Sequence, residues 1–115
     1  MKYLNIIVLV IVYCITPLAF AGGDAAAGKE KSKACESCHG ADGNSASPAF
    51  PTLAGQYENY LLNALRQYKK GERKNPVMGG MVAALNDDDF KNLAAYYASQ
   101  KGLFNTSVGA FSPGK

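Results

Sequence analysis

In "QYENYLLNALRQYKKG" the apolar residues Tyr57, Tyr60, Leu61, Ala64, Leu65 and Tyr68 return at helical spacing and form one stripe. The pattern predicts a helix. Gly71 ends it as the residue beyond the C-cap, after Lys69 and Lys70, whose charges suit the negative helix end. A second helix is signalled by Asn86 as a cap, by Asp87, Asp88 and Asp89 in the positive first turn, and by Leu85 and Phe90 spaced as a hydrophobic staple. Phe90, Leu93, Ala94 and Tyr97 give it a buried face, and Gly102 is its expected stop. Asp24 is the expected N-cap of an earlier helix running towards Cys35. No segment alternates convincingly as a strand. The expected fold is therefore all-α, with three main helices and long glycine-rich loops. The tail "LFNTSVGAFSPGK" shows little periodicity and reads as a loosely held loop.

With 115 residues the chain is one small domain. Its first segment, "MKYLNIIVLVIVYCITPLAFA", has a lysine near the start, an uncharged apolar run and an Ala19-Phe20-Ala21 ending. That is the pattern of a secretory signal peptide over residues 1–21, which leaves a domain of residues 22–115. The rival is a retained anchor helix, since the run approaches the roughly 20 residues that span a bilayer. Cys14 lies between Tyr13 and Ile15, whereas lipidation would want small residues before it, so it leaves with the signal. Cleavage takes Lys2 away and lowers the net charge from +3 to +2. So mild a charge does not indicate nucleic-acid binding, and after cleavage nothing holds the domain to a membrane. The expected compartment is the periplasm, where a bare thiol pair would oxidise unless occupied.

The remaining cysteines, Cys35 and Cys38, stand beside the only histidine, His39, in "ACESCHGADGNS". Four chemistries compete. A disulfide with an incidental histidine is the plainest. A redox dithiol expects a strand-loop-helix context that is missing here. Structural zinc would need a carboxylate as its fourth ligand. Covalent haem needs two thiols to reach two vinyl groups and an imidazole just after them to bind iron, which is what C-x-x-C-H provides. By itself the pentapeptide leaves the disulfide and the haem open.

The context bears on that choice. Three short helices make a thin core, and connections such as "GADGNSASPAFPTLAG" and "KGERKNPVMGGM" are long for a compact domain. A large, flat, apolar cofactor would supply the missing interior. Because His39 is the only histidine, coordination by two histidines of this chain is excluded. Met78 and Met81 are the methionines left after cleavage, both in a stretch read as a loop beginning at Pro76. Pro76 restrains the backbone before Met78, and Gly79 and Gly80 after it leave an unhindered path. Met81 leads into Val82 and Leu85 and reads as a packing residue.

From "GDAAAGKEKSKACESCHGADGNS" through "FPTLAGQYENYLLNAL" to "NPVMGGMVAALNDDDFKNLAAYYASQKG", the chain resembles the class I cytochromes c, within them the bacterial cytochrome c4/c553-like group. The resemblance implies a small class I cytochrome c fold enclosing one covalent haem c. It implies thioether bonds from Cys35 and Cys38, iron bound by His39 and Met78, and a Pro51 carbonyl that accepts a hydrogen bond from the imidazole. It also implies that Gly28, costly inside a helix, faces the Tyr96/Tyr97 region at a crossing of the N- and C-terminal helices. Cytochromes c4 carry two haem modules, whereas this chain has one C-x-x-C-H, so a monohaem protein is expected.

The expected activity is single-electron transfer between a donor and an acceptor redox protein, not enzymatic turnover. A haem subunit permanently bound to a catalytic oxidoreductase is the alternative. "KKGERK" reads as a solvated helix end that could also steer an acidic partner.

Overall fold

A computed structural model describes residues 22–104. The expected signal peptide and the tail beyond Phe104 lie outside them. Among the described residues the chain forms α1 (Ala25–Ser32), α2 (Glu36–His39), α3 (Glu58–Lys70), α4 (Pro76–Val82) and α5 (Asp87–Ser99), with no strand. No described helix is long and apolar enough to cross a membrane.

The helix ends follow local chemistry. The Asp24 carboxylate accepts the N–H groups of Ala26 and Ala27 at 2.8 and 3.2 Å, which starts α1. Gly71, with φ 74°, takes the left-handed turn that ends α3, its N–H reaching the carbonyls of Gln67 and Tyr68. At α5 the capping box is complete: Asp89 N–H donates to Asn86 at 2.9 Å and Asn86 N–H donates back to Asp89 at 3.0 Å.

Two expectations change. The stretch from Pro76 is a helix and not a loop. Asn75 accepts the N–H groups of Val77 and Met78 at 3.0 and 3.1 Å, and Pro76 occupies the first helical turn, where its missing N–H costs nothing. Gly79 and Gly80 continue that helix with no neighbour within 4 Å of a built Cβ, so no close approach within the protein requires them to be glycine. Gly102 likewise is not the stop of α5. The helix ends at Ser99, with Gln100 extended, and a Cβ on Gly102 would stand 2.1 Å from the Ala54 carbonyl oxygen. Its small size admits the segment that donates Leu103 N–H to Ala54 at 2.8 Å.

The main helix pairing is α1 across α5, with α3 packed on α5 and α4 resting on α3. Lys31 on α1 pairs with Asp89 on α5 at 3.0 Å. Arg66 on α3 holds Asp87 on α5 with two hydrogen bonds of 2.6 and 2.8 Å, and this contact lowers the Asp87 carboxyl to about 2. Leu61, Leu93, Ala94, Tyr96 and Tyr97 form the buried cluster, with Leu85 packed against it. Phe90 is buried and Tyr57 is not. Tyr57 is 61% exposed and stacks on Phe104 with ring centroids 4.8 Å apart, so it leaves the stripe predicted for α3.

Gly28 sits at the α1–α5 crossing, as the resemblance implied. A Cβ there would lie 1.9 Å from the Asn92 carbonyl oxygen and 2.8 Å from Tyr96 Cβ. Gly23, just ahead of α1, makes the same approach to the Lys91 carbonyl. Alanine gains about 1 kcal/mol of helix propensity over glycine, but backbone cannot yield as a flexible side chain does. Gly28→Ala is therefore expected to cost about 1–3 kcal/mol net, the usual price of overpacking. Urea unfolding of the wild type and the variant measures it, and an unchanged midpoint would mean that the two helices re-space freely.

Candidate cofactor site

The residues of C-x-x-C-H occupy one helical turn. Cys35 caps α2, and its carbonyl accepts the N–H groups of Cys38 and His39 at 3.2 and 2.9 Å. Positions three and four apart share a helix face, so both thiols and the imidazole stand together. All three line a cavity of about 490 Å³. The two cysteines are unbridged. Among the described residues no group of three or more His, Cys, Asp or Glu side chains is placed to hold a metal ion by itself.

His39 is buried, and its Nδ1 lies 2.8 Å from the Pro51 carbonyl oxygen. A carbonyl only accepts, so Nδ1 carries the proton and Nε2 keeps the lone pair. The loop after α2 brings Pro51 to this place. Gly40, with φ 83°, turns the chain out of α2, and the Gly43 carbonyl accepts the N–H groups of Leu53 and Ala54 at 2.7 and 3.1 Å. Further bonds tie the loop to α5: Gly55 N–H to the Tyr97 carbonyl at 2.9 Å and the Tyr96 hydroxyl to the Ala41 carbonyl at 3.1 Å. The ring of Phe50 stands edge-on to His39, centroids 6.4 Å apart.

Other walls come from distant segments. Tyr60, Leu61, Ala64, Leu65 and Tyr68 of α3 line the cavity, as do Leu93, Ala94 and Tyr97 of α5. The stripe predicted for α3 thus faces the cavity for most of its length. From α4 come Val77, Met78 and Met81. Both methionines therefore reach the site, and Met81, 43% exposed, is not the buried packing residue that its sequence context indicated. Val82 takes that role at 2% exposure.

Sequence reasoning missed Tyr97 and Arg73 as site residues. Burial pushes the Tyr97 hydroxyl up, and the neighbouring Cys35 thiol adds to the effect. That hydroxyl has no hydrogen bond of good geometry, although Cys35 and Ser32 lie close enough to perturb it. Burial pushes the Cys35 thiol up as well, opposed by the Tyr97 hydroxyl. Arg73 reaches the cavity wall from the α3–α4 loop, whose charge run "KKGERK" had been read as a solvated helix end or a steering patch and not as part of the site.

The donor set and the walls fit a haem. Cofactor cavities run to about 300–1,000 Å³ with mostly apolar linings and a few placed polar groups. Here two free thiols, one imidazole with its tautomer set, and two thioethers meet in such a cavity.

Known proteins match most of the described chain. The family model for cytochrome c matches residues 25–101. Cytochrome c4 of Pseudomonas aeruginosa is 50% identical over 99 residues, covering 86% of this chain and 47% of that one. Cytochrome c-554(548) of Halomonas halodenitrificans is 43% identical over 82 residues, covering 69% of this chain and 99% of that one. The crystal structure of reduced recombinant cytochrome c4 from Pseudomonas stutzeri superposes with a TM-score of 0.67 at 48% identity, covering 70% of this chain and 47% of that one. The chain spans about half the length of the curated cytochromes c4 that it matches. The matched region takes in α1 to α5, with the thiol pair, the imidazole and both thioethers inside it, and on that ground the chain belongs to the cytochrome c family, all-α proteins built around a covalently attached haem c.

Proposed function

We propose that this protein is an exported electron carrier, in which Cys35 and Cys38 attach one haem, His39 and Met78 bind its iron, and redox proteins supply and accept the electrons. The observation that carries the reading is the 2.8 Å contact between His39 Nδ1 and the Pro51 carbonyl, in a cavity that also holds both thiols. His39 presents Nε2 as a lone-pair donor, and the bond at Nδ1 raises its basicity.

Cys35 and Cys38 would hold the haem by two thioether bonds, each sulfur bonding one vinyl carbon and the thiol hydrogen passing to the other. Unbridged cysteines are the state that this addition requires. The haem, when bound, supplies an iron that gains and loses single electrons without forming a bond to a substrate. Met78 offers a soft thioether, which favours the ferrous state and raises the potential. The apolar walls from α3 and α5 keep water away and act in the same direction.

Export rests on the signal-like pattern of residues 1–21. Mass spectrometry of protein from a periplasmic extract tests attachment and export together. The expected species begins near Gly22 and carries the mass of one haem. A mature chain without added mass would overturn the carrier reading, and an N-terminus at Met1 in the membrane fraction would make it a tethered cytochrome. On native gel filtration the carrier elutes as a small protein. Co-elution with a large oxidoreductase would replace free shuttling with the subunit role.

A further inference from the structure

The helix that carries both methionines, α4, is thinly held. Gly79 and Gly80 add no side chain to it, Val77 and Met81 are exposed, and Val82 is its single buried residue. Among the described residues, the hydrogen bonds that reach residues 76–85 from another helix both come from one group, the Lys69 ammonium in the last turn of α3. Nζ donates to the Ala83 carbonyl at 3.3 Å and also to the Leu85 carbonyl. Ala83 is the C-cap of α4, and Leu85 stands just before Asn86, the cap of α5. The same ammonium lies 5.9 Å from the ring centroid of Phe90, a buried residue of α5. The ion pairs of the described residues do not engage it. One side chain thus bridges α3, the end of α4 and the start of α5. Lys69 does not line the cavity, so it acts on the site only through the helix it holds.

The last carbonyls of a helix have no partner within it, and a cation placed there meets both the orphan oxygens and the negative helix end. An ammonium carries three donors on one nitrogen, enough for two carbonyls at once, and its charge strengthens each bond. The ring of Phe90 adds a cation–π contact at the edge of its range. We propose that Lys69 is a positioning residue that clamps α4 against α3 and thereby keeps the methionine thioether on the haem iron. This assignment rests on the haem reading above. It holds for whichever of Met78 and Met81 is the ligand, since both stand on the clamped helix. The physical link is a local opening: the thioether leaves the iron when α4 moves away from α3, and a broken clamp makes that opening easier.

The test uses the haem-loaded ferric protein, with imidazole as the competing ligand. Imidazole binds the iron only where the thioether has left, so its apparent association constant scales with the open fraction. Titration follows the loss of the iron–thioether charge-transfer band. Lys69→Gln is expected to raise the apparent constant on the order of fivefold, the effect of a charged hydrogen bond discounted for the exposure of the ammonium. Lys69→Arg keeps a cation with several donors and should recover part of the difference. Two controls separate the clamp from net charge and from global stability. Lys70→Gln removes the same charge one residue on, from an exposed side chain that does not line the cavity, and Arg66→Gln breaks the ion pair between α3 and α5. Each should change the constant less than about twofold. In reduced wild type, NMR should show nuclear Overhauser contacts from the Lys69 ε-methylene protons to Leu85 and Phe90, a readout that stands even if Lys69→Gln does not fold. Absence of those contacts, an unchanged constant in Lys69→Gln, or an equal rise in either control would overturn the clamp. Wild type whose ferric spectrum lacks the charge-transfer band would overturn the underlying reading and the clamp with it, and is detected before any imidazole is added.

Discussion

Met78→Ala is expected to abolish the iron–thioether charge-transfer band of the ferric protein, lower its potential and open the iron to small ligands. Both methionines stand three residues apart on α4 and both line the cavity, so position alone does not choose between them. What favours Met78 is how it is held. Its own N–H is bonded to the Asn75 cap at 3.1 Å in the first turn of α4, directly after Pro76, and it is more buried than Met81. Met81 is 43% exposed, and the next residue, Val82, anchors the helix at 2%. Met81→Ala should therefore keep the band. Its stability cost should stay below about 2 kcal/mol, the lower end for a buried methionine. Absorption spectra of the two ferric variants decide the matter. Survival of the band in Met78→Ala with its loss in Met81→Ala would reverse the ligand assignment and leave the family unchanged.

Replacing both Cys35 and Cys38 by alanine is expected to remove covalent haem and, with it, cooperative folding. The buried cluster explains why. Leu61, Leu93, Ala94, Tyr96 and Tyr97 come mostly from α5, and Leu61 is the single buried residue of α3. The rest of the α3 stripe, from Tyr60 to Tyr68, faces the cavity in place of another helix. The helices therefore gain much of their apolar contact only through the group between them. A ligand at a thousand times its dissociation constant contributes about 4 kcal/mol, and small domains have only about 5–15 kcal/mol in all. Circular dichroism and thermal melting of the double variant check this. Native helicity with one sharp transition in haem-free protein would show that the core suffices by itself.

Much of the architecture was legible because its signals are local. Asp24, Asn86 and Gly71 act within one turn of their own helix ends, satisfying backbone groups that any helix leaves unpaired, so their roles can be read without knowing the fold. The same holds for Cys35, Cys38 and His39, since one helical turn sets their common face. The start signals of α4, Asn75 and Pro76, were also present, but Gly79 and Gly80 hid the helix by lowering its propensity.

Other features depend on segments far apart in the chain. Gly28 and Gly23 owe their roles to backbone carbonyls of α5, and Gly102 to Ala54. The resemblance pointed to the first of these, while nothing local marked the other two. His39 has its tautomer set by a carbonyl twelve residues on, delivered by a loop that is itself bound to α5. Arg73 looked like one more solvated charge until α3 placed two tyrosine rings beneath it. The sequence by itself determined the capped starts of α1 and α5, the glycine stop of α3 and which groups could hold a haem, because those energies act over a few residues. Only the tertiary structure decided which side chains meet around the cavity, because glycine crossings, loop carbonyls and clamped charges draw their energy from partners that folding alone brings together.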